Sequence, residues 1–189
     1  MRAIMLRAPE GLLSERRRTG ADRWDEVWEG VLHMVPPPSF WHQQFGSELL
    51  AILRPLARVV GLDLTYETGV FRPGQDEGDY RVPDLVCSKA EQRSTRGIEG
   101  RAELVIEILS PDDESHDKLA FYASVGIPEV WLVEPDTRAV ELYLLRGGTH
   151  RLALPDEAGV LRSSALDLAL ATLPGPRLRL TWKGGQAEI

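Results

Sequence analysis

The sequence feature that most constrains the fold is the apolar run within residues 101–111, which read RAELVIEILSP. A short and almost continuous apolar run rich in β-branched residues is typical of a strand that is buried on both faces of a sheet. Glu107 interrupts this run. A carboxylate in such a place must be paired, protonated or bound to a metal, because leaving it without a partner in an apolar core is costly. The fold therefore has to provide a partner for Glu107.

Composition limits what kind of protein carries this strand. A chain of 189 residues with 43% hydrophobic residues can bury the core of one domain, expected to span residues 1–189 with its core at about 24–145. The net charge of −7 disfavours non-specific binding to duplex nucleic acid, although a local basic groove is compatible with it. Cys87 is the only cysteine, which excludes an internal disulfide, and we interpret it as a small core residue. We expect a cytoplasmic protein without a membrane segment, because no apolar run approaches about twenty residues.

The segments on either side of the apolar run have the order strand, loop, strand, helix. Residues 81–88 are predicted as a strand that contains Asp84, and residues 89–101 as a mobile, basic loop. After the central strand, Ser110-Pro111-Asp112 is typical of a helix start, and the helix that follows should end at Gly126. This order brings Asp84 and Glu107 onto neighbouring strands, which lie about 5 Å apart.

The segments before residue 81 and after residue 126 also have predicted secondary structures. Two short strands that turn at Glu29-Gly30 are expected within residues 24–35. Ser39 is a candidate N-cap for a helix over residues 40–60, which Pro55 should kink or split. Further strands are predicted within residues 62–71, 130–133 and 139–145, and residues 150–154 and 177–182 should complete the sheet edge.

Two carboxylates that meet at one end of a sheet can bind a hard cation. Oxygen ligands of this kind suit Mg²⁺, which usually keeps several waters and one or two protein carboxylates. Asp84 and Glu107 are the candidate ligands, with the backbone carbonyl of Ile108 as a third. Lys118, in the first turns of the next helix, could reach the same end of the strands. Two acids and a lysine around Mg²⁺ are what phosphodiester hydrolysis requires, because the metal activates water while a cation offsets the developing charge.

Several motifs in this sequence together resemble the Uma-two-type endonuclease family of bacteria, long described as a domain of unknown function. The motifs are Pro83-Asp84, AELVIEILSP, Asp117-Lys118-Leu119 with Tyr122, VGIPEVW at residues 125–131, Glu134-Pro135, and the block from Trp28 to His42. The resemblance extends from about residue 24 to beyond residue 145, which is most of the chain.

The resemblance implies a PD-(D/E)xK nuclease with a restriction-endonuclease-like α/β core. We therefore expect a mixed sheet of four or five strands flanked by helices, with N-terminal and C-terminal strand additions. It also implies that Asp84 and Glu107 bind Mg²⁺, with Mn²⁺ as a substitute. The superfamily motif would place a lysine two positions after Glu107, where this chain has Leu109, and the family's lysine corresponds to Lys118. Glu114, where family members more often have Asp, is a mild departure.

Each candidate residue also has a simpler structural interpretation. Asp84 could be a turn acid, and Glu107 could pair with a buried arginine such as Arg81. Lys118 could form a helical pair with Glu114. Two auxiliary residues are weaker candidates. His42 could face the site or only cap its helix, and Glu26 could assist the metal or be a salt-bridged strand residue. The aromatic side chains of Trp131 and Tyr122 are interpreted as core residues.

The sequence therefore favours a Mg²⁺-dependent endonuclease that acts on nucleic acid, with DNA as the expected partner. The basic loop around Arg93, Arg96 and Arg101 would flank the phosphates. The alternatives are a non-catalytic binding or regulatory module of the same fold, and a hydrolase of a smaller phosphodiester. By analogy with nucleases that cut both strands as dimers, we expect a homodimer, which exposed edge residues such as Leu142 and Leu144 could form.

Overall fold

The computed structural model describes residues 3–5, 9–74, 78–110 and 114–189, which form three α-helices and sixteen strands in three sheets. The helices are α1 (Glu10–Thr19), α2 (Phe40–Val59) and α3 (Ser115–Ser124). The strands of the first half are β1 (Ala3–Met5), β2 (Glu26–Trp28), β3 (Val31–Met34), β4 (Asp63–Tyr66), β5 (Val70–Phe71), β6 (Tyr80–Arg81), β7 (Leu85–Ser88) and β8 (Ile98–Glu99). The second half contributes β9 (Leu104–Ile108), β10 (Glu129–Val133), β11 (Val140–Arg146), β12 (Thr149–Leu152), β13 (Leu161–Ser163), β14 (Leu168–Leu173), β15 (Arg177–Trp182) and β16 (Gly185–Glu188).

The central sheet has six strands in the order β12-β11-β10-β9-β7-β4. Only β9 and β10 are paired in parallel, and the chain returns between them through α3. All five residues of β9 are buried, as its apolar sequence predicts. Helix α2 packs on one face of this sheet and α3 on the other, each with its own hydrophobic cluster. This mixed sheet flanked by helices confirms the predicted α/β fold class, with six strands in place of four or five.

Two further sheets flank the central one. The N-terminal sheet has the order β1-β3-β2-β6-β5-β8, and the C-terminal sheet has the order β13-β14-β15-β16. Apolar residues of the C-terminal sheet, such as Leu170 and Leu178, share a buried cluster with α2 and the central sheet. None of the helices in the described ranges is both long enough and apolar enough to cross a bilayer.

Several local expectations are confirmed. Strands β2 and β3 form the hairpin that turns at Glu29-Gly30. The hydroxyl of Ser39 caps α2 by accepting a hydrogen bond from the His42 amide at 3.2 Å. Burial raises the pKa of Cys87 to about 12, which agrees with its interpretation as a core residue.

Helix α2 is not split at Pro55, although the loss of one backbone donor predicts a break there. The residues on either side of the proline hold the helix against the core. Leu49, Leu53 and Ala57 are completely buried on its inner face. Tertiary packing therefore overrides the local preference, as it commonly does in helices of this length.

Two predicted strands are each divided into shorter pieces. Residues 62–71 form β4 and β5, which belong to different sheets, and residues 81–88 contribute to β6 and β7. Asp84 therefore lies immediately before β7 and not within a strand. The predicted helix start at Ser110-Pro111-Asp112 lies partly outside the described residues, and α3 is described from Ser115 onward.

The segment 89–101 is not the basic loop that was predicted. It contains a short 3₁₀ helix (Ala90–Gln92) and strand β8, and its arginines have local partners. Arg96 donates to Glu99 at 2.7 Å and Arg101 to Glu103 at 3.0 Å, while Arg93 donates to the Ser88 carbonyl. Carboxylates thus neutralise Arg96 and Arg101, and the Arg93 guanidinium is hydrogen-bonded to the backbone. The segment joins the end of β7 to the start of β9, at the opposite end of these strands from Asp84 and Glu107.

The expected exposed edge at β11 is also wrong. Leu142 is completely buried, because β10 and β12 flank the strand and its apolar face lies in the cluster shared with the C-terminal sheet. Residues 177–182 do not complete the central sheet, since β15 belongs to the C-terminal sheet, whereas β12 is an edge strand as predicted. The edge residues proposed for dimer contacts are therefore not an exposed apolar surface. The homodimer itself stays a prediction by analogy with dimeric nucleases.

Candidate active site

Asp84 and Glu107 lie opposite each other at one end of the β7–β9 pair. Leu85 of β7 is paired with Ile106 of β9 in antiparallel register, so the residues next to them, Asp84 and Glu107, are neighbours across the pair. Leu85 and Ile106 both face α2, and alternation directs the neighbouring Glu107 toward the α3 side. Both acids line one cavity of about 330 Å³. The sheet therefore brings together two acids that are distant in the sequence.

The carboxylate of Asp84 is held by the end of β9. Its Oδ2 accepts a hydrogen bond from the Ile108 amide at 2.7 Å. Its Oδ1 lies 3.5 Å from Nε2 of His42, and the same Nε2 lies 3.0 Å from the Ile108 carbonyl oxygen. His42, a weak candidate from the sequence, is thus brought to the site by the first turn of α2.

The carboxylate of Glu107 is almost inaccessible to solvent, with an exposed fraction of 3%. Its Oε1 accepts a hydrogen bond from the Tyr122 hydroxyl at 2.5 Å and lies 3.1 Å from Nζ of Lys118. Burial raises the pKa of Glu107, and the Lys118 charge only partly opposes this effect. Burial and the charge of Glu107 also raise the pKa of Tyr122 well above its ordinary value, so the phenol stays a hydrogen-bond donor.

Lys118 connects Glu107 to Glu26. Nζ of Lys118 lies 2.8 Å from Oε1 of Glu26, which is 1% exposed. The same Oε1 accepts the Val82 amide at 2.9 Å, while Oε2 accepts the indole N–H of Trp28 at 2.7 Å. Burial lowers the pKa of Lys118, but the charges of Glu107 and Glu26 outweigh it and the pKa is raised. The amine is therefore a fixed cation between two buried acids.

The simpler interpretations of these residues can now be compared with their contacts. Arg81 donates to Asp79 at 2.9 Å and to the Val27 carbonyl, so it is not the partner of Glu107. The amine of Lys118 contacts acids on β2 and β9, which is not the helical pair with Glu114 that was considered. Glu26 is a salt-bridged strand residue, as its simpler interpretation has it, and its partner is Lys118 on α3.

Two residues of this region were missed as site residues. Tyr122 was interpreted only as core, yet it follows Lys118 by four positions on α3, a spacing that puts both side chains on one helix face. Glu67 lines the cavity with a φ of 46°, and its amide donates to the Asp84 carbonyl at 2.9 Å. Nothing in the local sequence of Glu67 indicates this position.

The donor set at this end of the sheet is suited to a small divalent cation. Asp84, Glu107 and the Ile108 carbonyl supply hard oxygen atoms, and no hydrogen bond from a described residue reaches Oε2 of Glu107. No group of three or more His, Cys, Asp or Glu side chains in the described ranges is arranged for a metal. Mg²⁺ does not need such a group, because it commonly takes one or two carboxylates and completes its shell with water. The residues therefore fit Mg²⁺, and they do not fit a site made of protein side chains alone.

Comparison with known proteins agrees with this architecture. A crystal structure described as a putative nuclease belonging to DUF820, from Anabaena variabilis ATCC 29413, aligns with a TM-score of 0.59 and 21% identity. The alignment covers 75% of this chain and 82% of that chain, and at this identity it shows a common fold. A search of curated proteins gave no match.

A family model matches a longer part of the chain than the part that contains the motifs. The family is Uma2, described as "Putative restriction endonuclease", and its model matches residues 15–174. This range includes Glu26, Asp84, Glu107 and Lys118 and ends one residue after β14. The resemblance predicted from the motifs is confirmed, and the chain belongs to the Uma2 family of restriction-endonuclease-like proteins.

Proposed function

We propose that this protein is a metal-dependent endonuclease that hydrolyses phosphodiester bonds of DNA. The observation that carries the proposal is the position of Asp84 and Glu107 side by side in one cavity, with the Lys118 amine 3.1 Å from Glu107. Membership of a family described as "Putative restriction endonuclease", and a fold shared with a structure described as a putative nuclease, support the same reaction class. The pattern of two acids and one amine meets the electrostatic needs of phosphoryl transfer.

Asp84, Glu107 and the Ile108 carbonyl would hold the cation, which we take to be Mg²⁺ with Mn²⁺ as a substitute. When bound, such a cation polarises a phosphoryl oxygen and lowers the pKa of a water molecule. The hydrogen bond from the Ile108 amide fixes Oδ2 of Asp84, and the Tyr122 hydroxyl fixes Oε1 of Glu107. These contacts hold both carboxylates in place. Metal binding is then stronger, because little side-chain entropy remains to be lost when the cation binds.

Lys118 acts in this proposal as a cation and hydrogen-bond donor. The charges of Glu107 and Glu26 raise its pKa, which favours the protonated amine. In this form it stabilises the negative charge that develops on the phosphoryl oxygens. Glu26 is a positioning residue, because its Oε1 holds Nζ of Lys118 at 2.8 Å.

His42 is assigned to substrate orientation. Both atoms close to its Nε2, the Ile108 carbonyl oxygen and Oδ1 of Asp84, are hydrogen-bond acceptors. A ring nitrogen between two acceptors carries the proton, so Nε2 is a donor in this arrangement. A donor at this position can turn to a phosphate oxygen that enters the cavity.

A hydrolase of a smaller phosphodiester is a second candidate. It is favoured by the acidic lining of the cavity, to which Glu26, Glu67 and Glu114 contribute in addition to the two proposed ligands. A substrate with few phosphates experiences less repulsion from such a wall than a long duplex does. A non-catalytic module of the same fold is the remaining alternative, and the experiment below separates all three.

The test is cleavage of supercoiled plasmid, single-stranded DNA and bis(p-nitrophenyl) phosphate with Mg²⁺, Mn²⁺ or EDTA. We expect metal-dependent cleavage of DNA that falls by a factor of at least about 100 in Asp84→Asn and in Glu107→Gln. The matched control is Glu157→Gln, which changes an acid that is exposed on the surface.

Calorimetric titration with Mg²⁺ accompanies the cleavage assay. Both ligand variants should lose Mg²⁺ binding, while Glu157→Gln should bind as the wild type does. Turnover of bis(p-nitrophenyl) phosphate without DNA cleavage would favour the smaller substrate. Metal binding without any turnover would favour the non-catalytic module, and full activity in either ligand variant would refute the assignment of Asp84 and Glu107.

A further inference from the structure

We propose that Trp41 binds an unpaired nucleobase, so that the substrate is a single-stranded segment of DNA and not an intact duplex. This inference rests on the proposed endonuclease function and adds the substrate class. It begins from two exposed aromatic side chains in the first turn of α2. The exposed fraction is 71% for Phe40 and 73% for Trp41, and in the described ranges they are the only aromatics among the large, exposed hydrophobic residues.

Trp41 borders a second cavity that continues from the candidate active site. This cavity has a volume of about 580 Å³ and shares Ser39, His42 and Ser110 with the cavity that contains Asp84 and Glu107. A strand whose phosphate lies at the two acids would pass His42 before it reaches the indole. The indole is therefore placed to meet a base close to the scissile phosphate.

The charges around both cavities do not favour binding through the phosphate backbone. The second cavity is lined by Glu48, Glu134 and Asp136, and its basic side chain, Arg138, packs over the Phe45 ring and donates to the Pro135 carbonyl. Proteins that bind duplex DNA electrostatically need several cations along the phosphates. Affinity for the substrate must here come from another interaction.

Two groups of arginines in the described part of the chain do not supply this surface. Arg96 and Arg101 are paired with Glu99 and Glu103 at the far end of the strands. The arginine cluster of α1 is paired as well, Arg16 with Asp25 and Arg18 with Glu15. Since these guanidinium groups already have acidic partners, they contribute little net positive potential to a nucleic acid.

Stacking on an aromatic ring is the interaction that suits this surface. It requires the flat face of a base, which is exposed in a single strand and covered in a duplex, and it tolerates every base. Carboxylates in the second cavity can accept hydrogen bonds from the amino groups of bases while repelling phosphates. The acidic wall thus favours the base and disfavours the backbone at the same place.

The structure also fixes the indole relative to the acids. Phe40 lies against Trp41 edge to face, with ring centroids 5.1 Å apart and an angle of 80° between the planes. The Ser39 cap holds the helix start, and the next residue, His42, contacts the Ile108 carbonyl at 3.0 Å. A base stacked on Trp41 would therefore be held at a defined place relative to Asp84.

The experiment measures the binding of three short fluorescein-labelled DNA probes in Mg²⁺ by fluorescence anisotropy. The probes are a single strand, an abasic strand of equal length and the corresponding duplex, all with cleavage-resistant phosphorothioate linkages. We expect the wild type to prefer the single strand, and Trp41→Ala to weaken that binding by about tenfold. Trp41→Phe should restore most of the affinity, and the abasic strand should bind both proteins equally.

The matched control is Val59→Ala, which truncates a side chain that is 83% exposed at the other end of α2. A single strand carrying 2-aminopurine gives a second readout, because stacking quenches its fluorescence in the wild type and the quenching should disappear in Trp41→Ala. Equal binding of the three probes, absence of binding, or unchanged affinity in Trp41→Ala would overturn the inference.

The two proposals fail in different ways. If the wild type cleaves DNA and Asp84→Asn does not, while Trp41→Ala binds the single strand normally, the inference fails and the proposed function stands. If no DNA is cleaved but binding of the single strand depends on Trp41 and on its bases, the proposed function fails and the base-binding role of Trp41 stands.

Discussion

The amine of Lys118 lies 2.8 Å from the Glu26 carboxylate, and this contact joins α3 to β2 across the candidate active site. Glu107 lies 3.1 Å from the same amine on the other side. One cation thus serves two carboxylates that are both almost completely buried. Removing the amine leaves two buried carboxylates without their shared cation, which is the expensive way to break such a cluster.

We expect Lys118→Met to damage both stability and activity. It should lower the free energy of unfolding by about 3 kcal/mol, because Glu26 and Glu107 lose their shared cation. Cleavage should fall at least about 100-fold even under conditions where the variant is fully folded. Urea denaturation and plasmid cleavage measure the two effects. Lys183→Met, at an exposed position in the C-terminal sheet, is the control, and a Lys118→Met enzyme with normal turnover would contradict the assigned role.

Tyr122→Phe removes a single hydroxyl from a completely buried side chain. Because this hydroxyl donates to Glu107, we expect a loss of about 1 kcal/mol in stability and a roughly tenfold loss of Mg²⁺ affinity. Calorimetric titration measures the latter. Tyr143→Phe removes a hydrogen bond to Glu141, a pair that lines neither cavity at the site, and it should leave Mg²⁺ binding unchanged. Identical Mg²⁺ affinity in both variants would mean that Tyr122 does not position the carboxylate.

Mg²⁺ should raise the thermal midpoint of the wild type. A ligand that binds only the native state at about 100 times its dissociation constant stabilises it by about 2.7 kcal/mol. We expect the shift to disappear in Asp84→Asn and to persist in Glu157→Gln. Differential scanning calorimetry with increasing Mg²⁺, and with EDTA as the reference, measures it. A shift of the same size in Asp84→Asn would show that Mg²⁺ binds elsewhere.

Asp79 should contribute a distinct dependence of stability on acid pH. Burial raises its pKa, but hydrogen bonds from Arg72 and Arg81 outweigh this effect and the pKa lies below its ordinary value of 3.8. Because the native state binds the proton less readily, the stabilisation is present above about pH 4 and is lost as the pH falls further. Asp79→Asn should be less stable at pH 7 and should lose less stability between pH 5 and 3. Urea midpoints across this range measure it, and a slope equal to that of the wild type would contradict it.

Glu129 should matter for stability and not for chemistry. Its carboxylate is 1% exposed and accepts hydrogen bonds from the Trp131 indole at 2.7 Å and from the Ser164 and Ala165 amides at 3.0 and 3.2 Å. Truncation leaves the buried Trp131 indole without an acceptor and takes the acceptor from the Ser164 and Ala165 amides, so Glu129→Ala should cost about 3 kcal/mol. Cleavage per folded molecule should be unchanged. Chemical denaturation and cleavage assays measure both, with Glu157→Ala as the control.

The parts of the site that the sequence predicts have local signals. The apolar run identifies β9 and therefore Glu107, and the spacing of α3 puts Lys118 on a helix that returns over the sheet. The contact between Lys118 and Glu26 could not be predicted in this way. It depends on how the N-terminal sheet packs beside the central one, and no local pattern in β2 specifies that arrangement.

Other differences between the prediction and the structure also arise from contacts that local sequence patterns do not specify. The arginines of residues 89–101 form a basic segment in the sequence, but Glu99 and Glu103 follow Arg96 and Arg101 within three positions and pair with them. The alternation of β11 correctly indicates one buried face, yet it cannot show that a separate C-terminal sheet shares that buried cluster. The sequence pattern identifies most of the individual elements, but it does not reveal how the sheets pack against one another.

Because the amine lies on α3, its position relative to the two acids is set by a helix and not by a strand. A lysine two residues after the acid on the same strand would share its face through the two-residue repeat of a strand. Leu109 occupies that position here, and Lys118 instead depends on its rotation about the α3 axis. One extra residue within the first turn of α3 would rotate the amine by about 100° and direct it away from both acids. The spacing between acid and amine is therefore a matter of helical phase, and single-residue insertions or deletions there should be tolerated far less than substitutions.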